Sequence, residues 1–183
     1  MRRKFGVGFA SAAIAAMALV GSPLTASADD TTATVGVVAG NLSLVSGGNV
    51  DFGSVQQDGI DHTLNASGTY DVSDATGSGA GWHLSVVATP FRDGEGHSLA
   101  PASANSASSA CDAGSACSVA NNQVSYPLNL TDDSVTDTTF FNAASGTGMG
   151  NQTATVNYSE FVPLTQPGGN YGATWLITLS TAP

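Results

Sequence analysis

The sequence predicts an all-β fold, an antiparallel β-sandwich, from three observations. Apolar and polar residues alternate with period two along several short stretches, as strands require. No window sustains the three-to-four-residue spacing of an amphipathic helix. The joints between the alternating runs are crowded with Gly, Ser, Thr and Asn, and the 22 glycines among 183 residues suit frequent tight turns.

The expected elements follow in order. Residues 31–38 mix Thr, Ala and Val in a β-favouring run broken by Gly40-Asn41, and residues 41–45 form a second run closed by Ser46-Gly47-Gly48-Asn49. In Val50-Asp51-Phe52-Gly53-Ser54-Val55, Val50 and Phe52 share a face. A polar loop over residues 56–61 leads to residues 63–73, where Leu64, Ala66, Gly68, Tyr70 and Val72 fall on one side. A glycine-rich turn, Gly77-Ser78-Gly79-Ala80-Gly81, then delivers Trp82 onto a run with Trp82, Leu84 and Val86 on one face and His83, Ser85 and Val87 on the other. Residues 92–122 lack large apolar residues and read as a long polar loop presented outward. Pattern returns over residues 124–130, at Phe140-Phe141, and through Ala154, Val156 and Tyr158 after the hinge Gly146-Thr147-Gly148-Met149-Gly150. The last strand places Trp175, Ile177 and Leu179 on one face. Trp82 and Trp175 are the two tryptophans, and the pattern alone leaves open whether either is core or binding surface.

The ends and the charge narrow the function. Residues 1–28 read as a signal peptide: Arg2, Arg3 and Lys4, an alanine-rich apolar stretch, then Ala26-Ser27-Ala28 as a small-x-small cleavage site. The Arg2-Arg3 pair leaves general and twin-arginine export both open. Residues 29–183 are then one domain large enough for a real core. No later stretch approaches the eighteen apolar residues of a membrane span, and the terminal Ser180-Thr181-Ala182-Pro183 has no sorting-type tail, so any surface attachment is expected to be non-covalent. All 14 acids lie beyond residue 28, where Arg92 is the sole Lys or Arg. Such a chain is repelled by nucleic acid and anionic membranes, whose affinity for proteins comes from Lys and Arg.

Cys111 and Cys117, with five residues between them, read as one local disulfide of an exported protein. Closing so short a loop stabilises by about 2 kcal/mol. No metal site is expected from them, since no histidine is near and the spacing is not Cys-x-x-Cys. His62, His83 and His97 form no His-Glu-x-x-His, and no Gly-x-Ser-x-Gly elbow occurs. Glu95 and Glu160 are the only glutamates, with nothing to support a glycosidase pair. The chain is therefore read as non-enzymatic, with no catalytic residues and no cofactor.

The assembled motifs resemble the WxL domain of Gram-positive surface proteins. The resemblance rests on Val50-Asp51-Phe52-Gly53-Ser54-Val55, Tyr70-Asp71-Val72-Ser73-Asp74, Gly79-Ala80-Gly81-Trp82-His83-Leu84, Pro163-Leu164, Pro167-Gly168-Gly169-Asn170-Tyr171 and Ala173-Thr174-Trp175. The second tryptophan motif departs from the family pattern by carrying Ile177 in place of leucine. The resemblance implies secretion to the cell surface and non-covalent attachment to peptidoglycan, beside other surface proteins. It puts Trp82, Leu84, Trp175 and Ile177 forward as ligand-binding residues. For sugar recognition Tyr70, Tyr126, Tyr158 and Tyr171 join the two tryptophans as candidates. A second route to the wall is a divalent cation bridging carboxylates, for instance Asp132, Asp133 and Asp137, or Asp71 with Asp74. The alternative to a wall binder is an adhesin-like interaction module that takes protein partners by strand addition.

Overall fold

A computed structural model describes residues 33–47 and 49–181, so the leader expected over residues 1–28 lies outside the described residues. The chain divides into the units Met1–Gly36 and Val37–Pro183, and all eight strands belong to the second. They are β1 (Leu42–Gly47), β2 (His62–Asp74), β3 (Trp82–Ala88), β4 (Ser103–Cys111), β5 (Leu128–Asn129), β6 (Thr138–Ala143), β7 (Gly150–Val162) and β8 (Trp175–Thr181). They form a five-stranded sheet, β1-β2-β7-β4-β5, and a three-stranded sheet, β6-β3-β8, antiparallel throughout. Their inner faces share one core, as expected for a β-sandwich.

The spine is the β2–β7 pair, in unbroken register from His62↔Val162 to Asp74↔Gly150. Alternation dictates its inner face. Tyr70 and Val72 from β2 meet Ala154, Val156 and Tyr158 from β7, all at most 1% exposed, while Thr63, Asn65, Ser67 and Thr69 face water. Each large side chain so buried stabilises the fold by roughly 1.5–3 kcal/mol. The Tyr70 and Tyr158 hydroxyls bond to each other at 2.8 Å.

In the smaller sheet, Trp82, Leu84, Val86 and Ala88 of β3 turn inward as alternation requires. The β3–β6 register slips between Leu84 and Ser85, where Leu84 pairs with Phe141 and Ser85 with Thr139. Phe140 is the extra residue of this bulge, so both neighbouring phenylalanines are buried where simple alternation would expose one. Phe141 stacks on Trp82 with ring centroids 5.7 Å apart. The Trp82 indole N–H donates to the Gly148 carbonyl at 2.9 Å.

Five expectations need correction. Residues 92–122 are not one outward loop, because β4 runs through them and pairs with β7 from Ser103↔Ser159 to Cys111↔Gln152. Alanine and serine have weak strand propensity, but small side chains fit an interior strand whose inner face holds Ala102 and Ala104. Residues 33–38 form no strand: Val35, Val37 and Val38 are each about 90% exposed, and β propensity without a ladder partner yields no strand. Residues 50–55 form an irregular segment, not a strand, and of residues 124–130 only Leu128–Asn129 pairs. Tyr70 and Tyr158 are core residues, because they sit on the inward phase of β2 and β7. The expected disulfide is present, Cys111–Cys117, with Cα atoms 5.5 Å apart.

The Trp82 corner generates a stability prediction. Gly148 has φ +82°, and a Cβ there would lie 2.4 Å from the Ala143 Cβ and 2.6 Å from the Trp82 Nε1. Gly146 has nearly the same φ, +81°, but faces open space. Gly148→Ala is expected to destabilise by about 3–5 kcal/mol, left-handed strain plus overpacking. Gly146→Ala bears the strain alone and should lose about 1–2 kcal/mol. Urea midpoints at unchanged slope measure the difference, and equal losses would refute the packing account.

Candidate functional site

Tryptophans 82 and 175 lie at opposite ends of the small sheet. The β3–β8 register pairs Trp82 with Thr181 and Ala88 with Trp175. Six residues of strand, roughly 20 Å, separate the two ends. At the Trp82 end the sandwich is closed. Trp82 and Leu84 are 0% exposed, and the disulfide loop, Gly148 and Gly150 pack across that end.

The other end is open. There β7 finishes at Val162, β3 gives way to Phe91, and the chain returns through residues 166–172 before β8. With residues 50–55 these segments wall a cleft of about 320 Å³. An adjoining depression of about 510 Å³ is lined by Val50, Phe91, Trp175 and Ile177 among others. Phe52, Phe91 and Trp175 meet edge to face, with centroids 5.9–6.4 Å apart, and Trp175 also contacts Tyr158 at 5.1 Å. Trp175 and Ile177 are half-buried, each packed on the core and lining the depression.

Side-chain bonds hold the cleft walls. The Gln57 Nε2 atom donates to the carbonyls of Pro163 and Gln166, both at 3.2 Å. Gln166 Nε2 donates to the Tyr171 hydroxyl at 2.8 Å, and that hydroxyl donates to the Pro167 carbonyl at 2.9 Å. Leu164 N–H reaches the Asp61 carboxylate at 2.8 Å. Backbone bonds in both directions between Arg92 and Gly172, 3.0 and 2.9 Å, tie the wall to the segment after β3. Of the tyrosine candidates, Tyr171 thus lines the cleft and Tyr70 borders the adjoining depression. Tyr126 is half-buried elsewhere, its hydroxyl donating to the Phe140 carbonyl at 2.6 Å.

Glu160, not singled out by its sequence context as a site residue, lines the cleft. It sits on the inward phase of β7, two residues beyond Tyr158, and is 2% exposed. Among the described residues neither of its carboxyl oxygens has a hydrogen-bond partner, and the same is true of Gln57 Oε1. Burial, with the negative charge of Asp132 adding to it, pushes the Glu160 carboxyl up to about 7. Alternation alone could have flagged it, since Ala154, Val156 and Tyr158 continue inward to Glu160.

The proposed cation-bridging carboxylates are scattered in their roles. Asp133 accepts from the Val135 and Thr136 N–H groups and the Thr136 hydroxyl, closing a local turn. Asp137 is exposed, Asp74 accepts from Thr76, and Asp71 accepts from the Thr153 hydroxyl. The described residues do bring Asp93, Glu95 and His97 together, with ligand atoms within 4.8 Å of one another. This trio is internally bonded: Asp93 accepts from the Glu95 and His97 N–H groups and meets the His97 ring at 2.6 Å. Burial would raise the Asp93 carboxyl, but those bonds outweigh it and hold the group down at about 2.

The raised Glu160 carboxyl has a consequence for stability. Below its ordinary value of 4.5 the group is protonated whether the chain is folded or not. As pH rises towards about 7 the unfolded chain loses this proton first, so stability falls across that window and levels off above it. The full loss is on the order of 3 kcal/mol. Glu160→Gln cannot ionise, so its melting temperature should match the parent near pH 4 and exceed it by roughly 5–10 °C at pH 8. A constant difference across that range would refute the assignment.

No curated protein and no solved structure is matched by the chain. No helix among the described residues is long and apolar enough to cross a membrane. A family model described as WxL domain surface cell wall-binding matches residues 22–174, a span that includes Trp82 and Leu84 and stops one residue before Trp175. That span holds both segments that wall the cleft, and over most of its length this chain belongs to the WxL family of surface, cell-wall-binding domains.

Proposed function

We propose that this protein is exported and attaches non-covalently to the peptidoglycan of the cell wall, without catalysing a reaction, through the cleft at the open end of its sandwich. The observation that carries this reading is the convergence of residues 50–55 with residues 166–172 on one aromatic-walled cleft. These segments are more than a hundred residues apart in sequence and largely irregular and exposed, with Val50 and Phe52 reaching the core, so their meeting on an open cleft favours a binding role. Aromatic edges and half-buried polar groups suit a glycan or its attached peptide. Asp51, Glu160 and Tyr171 are the titratable residues lining the cleft. Asp51 already accepts the Gly53 N–H at 2.8 Å. That leaves no histidine or cysteine to pair with, which supports binding over catalysis.

Trp175 and Ile177 then act as the cleft-side pair of the four tryptophan-motif residues, and Trp82 and Leu84 act by holding the closed end. A second reading has one specific observation behind it. Strand β8 pairs only with β3 among the described strands and exposes Leu176, so its free edge suits strand addition by a neighbouring surface protein.

Co-sedimentation of the mature domain with purified, protein-free sacculi tests the wall reading. The parent is expected to pellet, and Phe52→Ala and Trp175→Ala, each checked for folding by near-UV circular dichroism, should bind about tenfold more weakly. A parent that stays in the supernatant would rule out direct attachment to peptidoglycan and leave the β8 edge as the contact.

A further inference from the structure

The polar groups of the cleft are unbalanced. Its half-buried side-chain donors are committed: Gln57 Nε2 to two carbonyls, Gln166 Nε2 to Tyr171 and Ser98, and the Tyr171 hydroxyl to Pro167. The Gln57 orientation is set by those two carbonyls, which only an N–H can satisfy. Of the buried side-chain atoms without a partner among the described residues, those in the cleft are Glu160 Oε1, Glu160 Oε2 and Gln57 Oε1, all acceptors once Glu160 is ionised. A buried carboxyl without partners is costly, and native proteins keep such groups for a reason. Here the cost is compounded by Asp132, whose charge repels Glu160. No cation among the described residues answers it: Arg92 is the one Lys or Arg after residue 28, and it makes no ion pair there. A ligand complementary to this cleft therefore brings N–H donors, positive charge and an apolar stem.

We infer that the cleft takes a primary alkylammonium group, its three N–H bonds received by the two Glu160 carboxyl oxygens and Gln57 Oε1 and its stem lying against Phe52 and Phe91. An ammonium has three donors and no acceptor, matching three buried acceptors that lack partners. Charge-assisted bonds to a desolvated carboxylate are the strong kind, and aromatic walls favour an organic cation. On the wall the group is the free amino group of an uncrosslinked stem peptide, so this inference rests on the peptidoglycan reading. The acidic surface of the domain then aids approach to that cation instead of opposing attachment.

Two measurements test it. In the first, cadaverine, N-acetylcadaverine and N,N′-diacetylcadaverine are titrated into the full mature domain and followed by amide chemical shifts. Cadaverine should shift the signals of residues 50–57 and 166–172 saturably, with N-acetylcadaverine, one end still free, doing the same and N,N′-diacetylcadaverine doing nothing. Glu160→Gln, isosteric and expected to fold, should weaken the amines by about tenfold or more. In the second, sacculi are compared before and after acetylation of their amino groups, and capping should abolish most of the pelleting. Equal response to N,N′-diacetylcadaverine and to the free amines, or an unchanged Glu160→Gln, would overturn the ammonium site. Sacculi that bind equally well after acetylation would overturn it too, while leaving peptidoglycan attachment intact. Amine binding in solution without any pelleting on untreated sacculi would overturn the stem-peptide source and point to a lysine of a protein partner.

Discussion

Thirteen consecutive residue pairs between β2 and β7 set the position of nearly everything else in the molecule. The ladder itself is a local matter of backbone hydrogen bonds, but its phase is not. Because side chains alternate, a register slip of one residue would turn Tyr70, Val72, Val156 and Tyr158 out to water together. The register is therefore held by apolar burial, and the same phase carries the polar ends of β7 inward as well. Gln152 at one end and Glu160 at the other are buried because Ala154, Val156 and Tyr158 between them must be.

The two ends of that strand have met this constraint differently. Gln152 Oε1 accepts the Ala120 N–H at 2.9 Å, drawing the segment after the disulfide across the edge of the sandwich. Trp82 completes the closure, its indole bonded to Gly148 and stacked on Phe141. At the far end nothing in the described residues bonds to the Glu160 carboxyl oxygens, and the strands give way to irregular segments that stand apart as cleft walls. At one end the chain's own backbone satisfies the Gln152 carbonyl oxygen, though not its Nε2, and the other presents acceptors to something outside it.

Much of the scaffold was legible in the sequence because alternation is a strong signal wherever one face is dry and the other wet. The β2, β3, β7 and β8 runs were readable for that reason, and the spacing of Cys111 and Cys117 for reasons of export chemistry. The β4 strand was not, because its Ala and Ser side chains have no apolar contrast between faces, and only its position beside β7 makes it a strand. The same absence of contrast works in reverse at residues 33–38, where valines suggested pairing and no partner strand exists among the described residues. At the site, the residues 50–55 and 166–172 stood out as motifs, but their meeting depends on tertiary topology that no local pattern encodes. Glu160 was hidden differently: a glutamate in an alternating strand reads as a solvated residue unless its phase is followed to the strand's end.

The two tryptophan motifs look equivalent in sequence and do unequal work in the fold. Each begins a strand after a glycine-rich turn, yet antiparallel pairing of β3 with β8 necessarily sends the two strand starts to opposite ends. Trp82 therefore falls where the sandwich closes, and its large ring and single donor are both consumed there, by Phe141 and Gly148. Trp175 falls where the sandwich opens, half-buried, one side against Tyr158 and the other towards Phe52, Phe91 and the depression they line. A pair of motifs conveying one residue type to two ends of a sheet can stiffen one end while leaving an aromatic wall at the other. The antiparallel pairing, more than the tryptophan itself, decides which ring has a face left for a ligand.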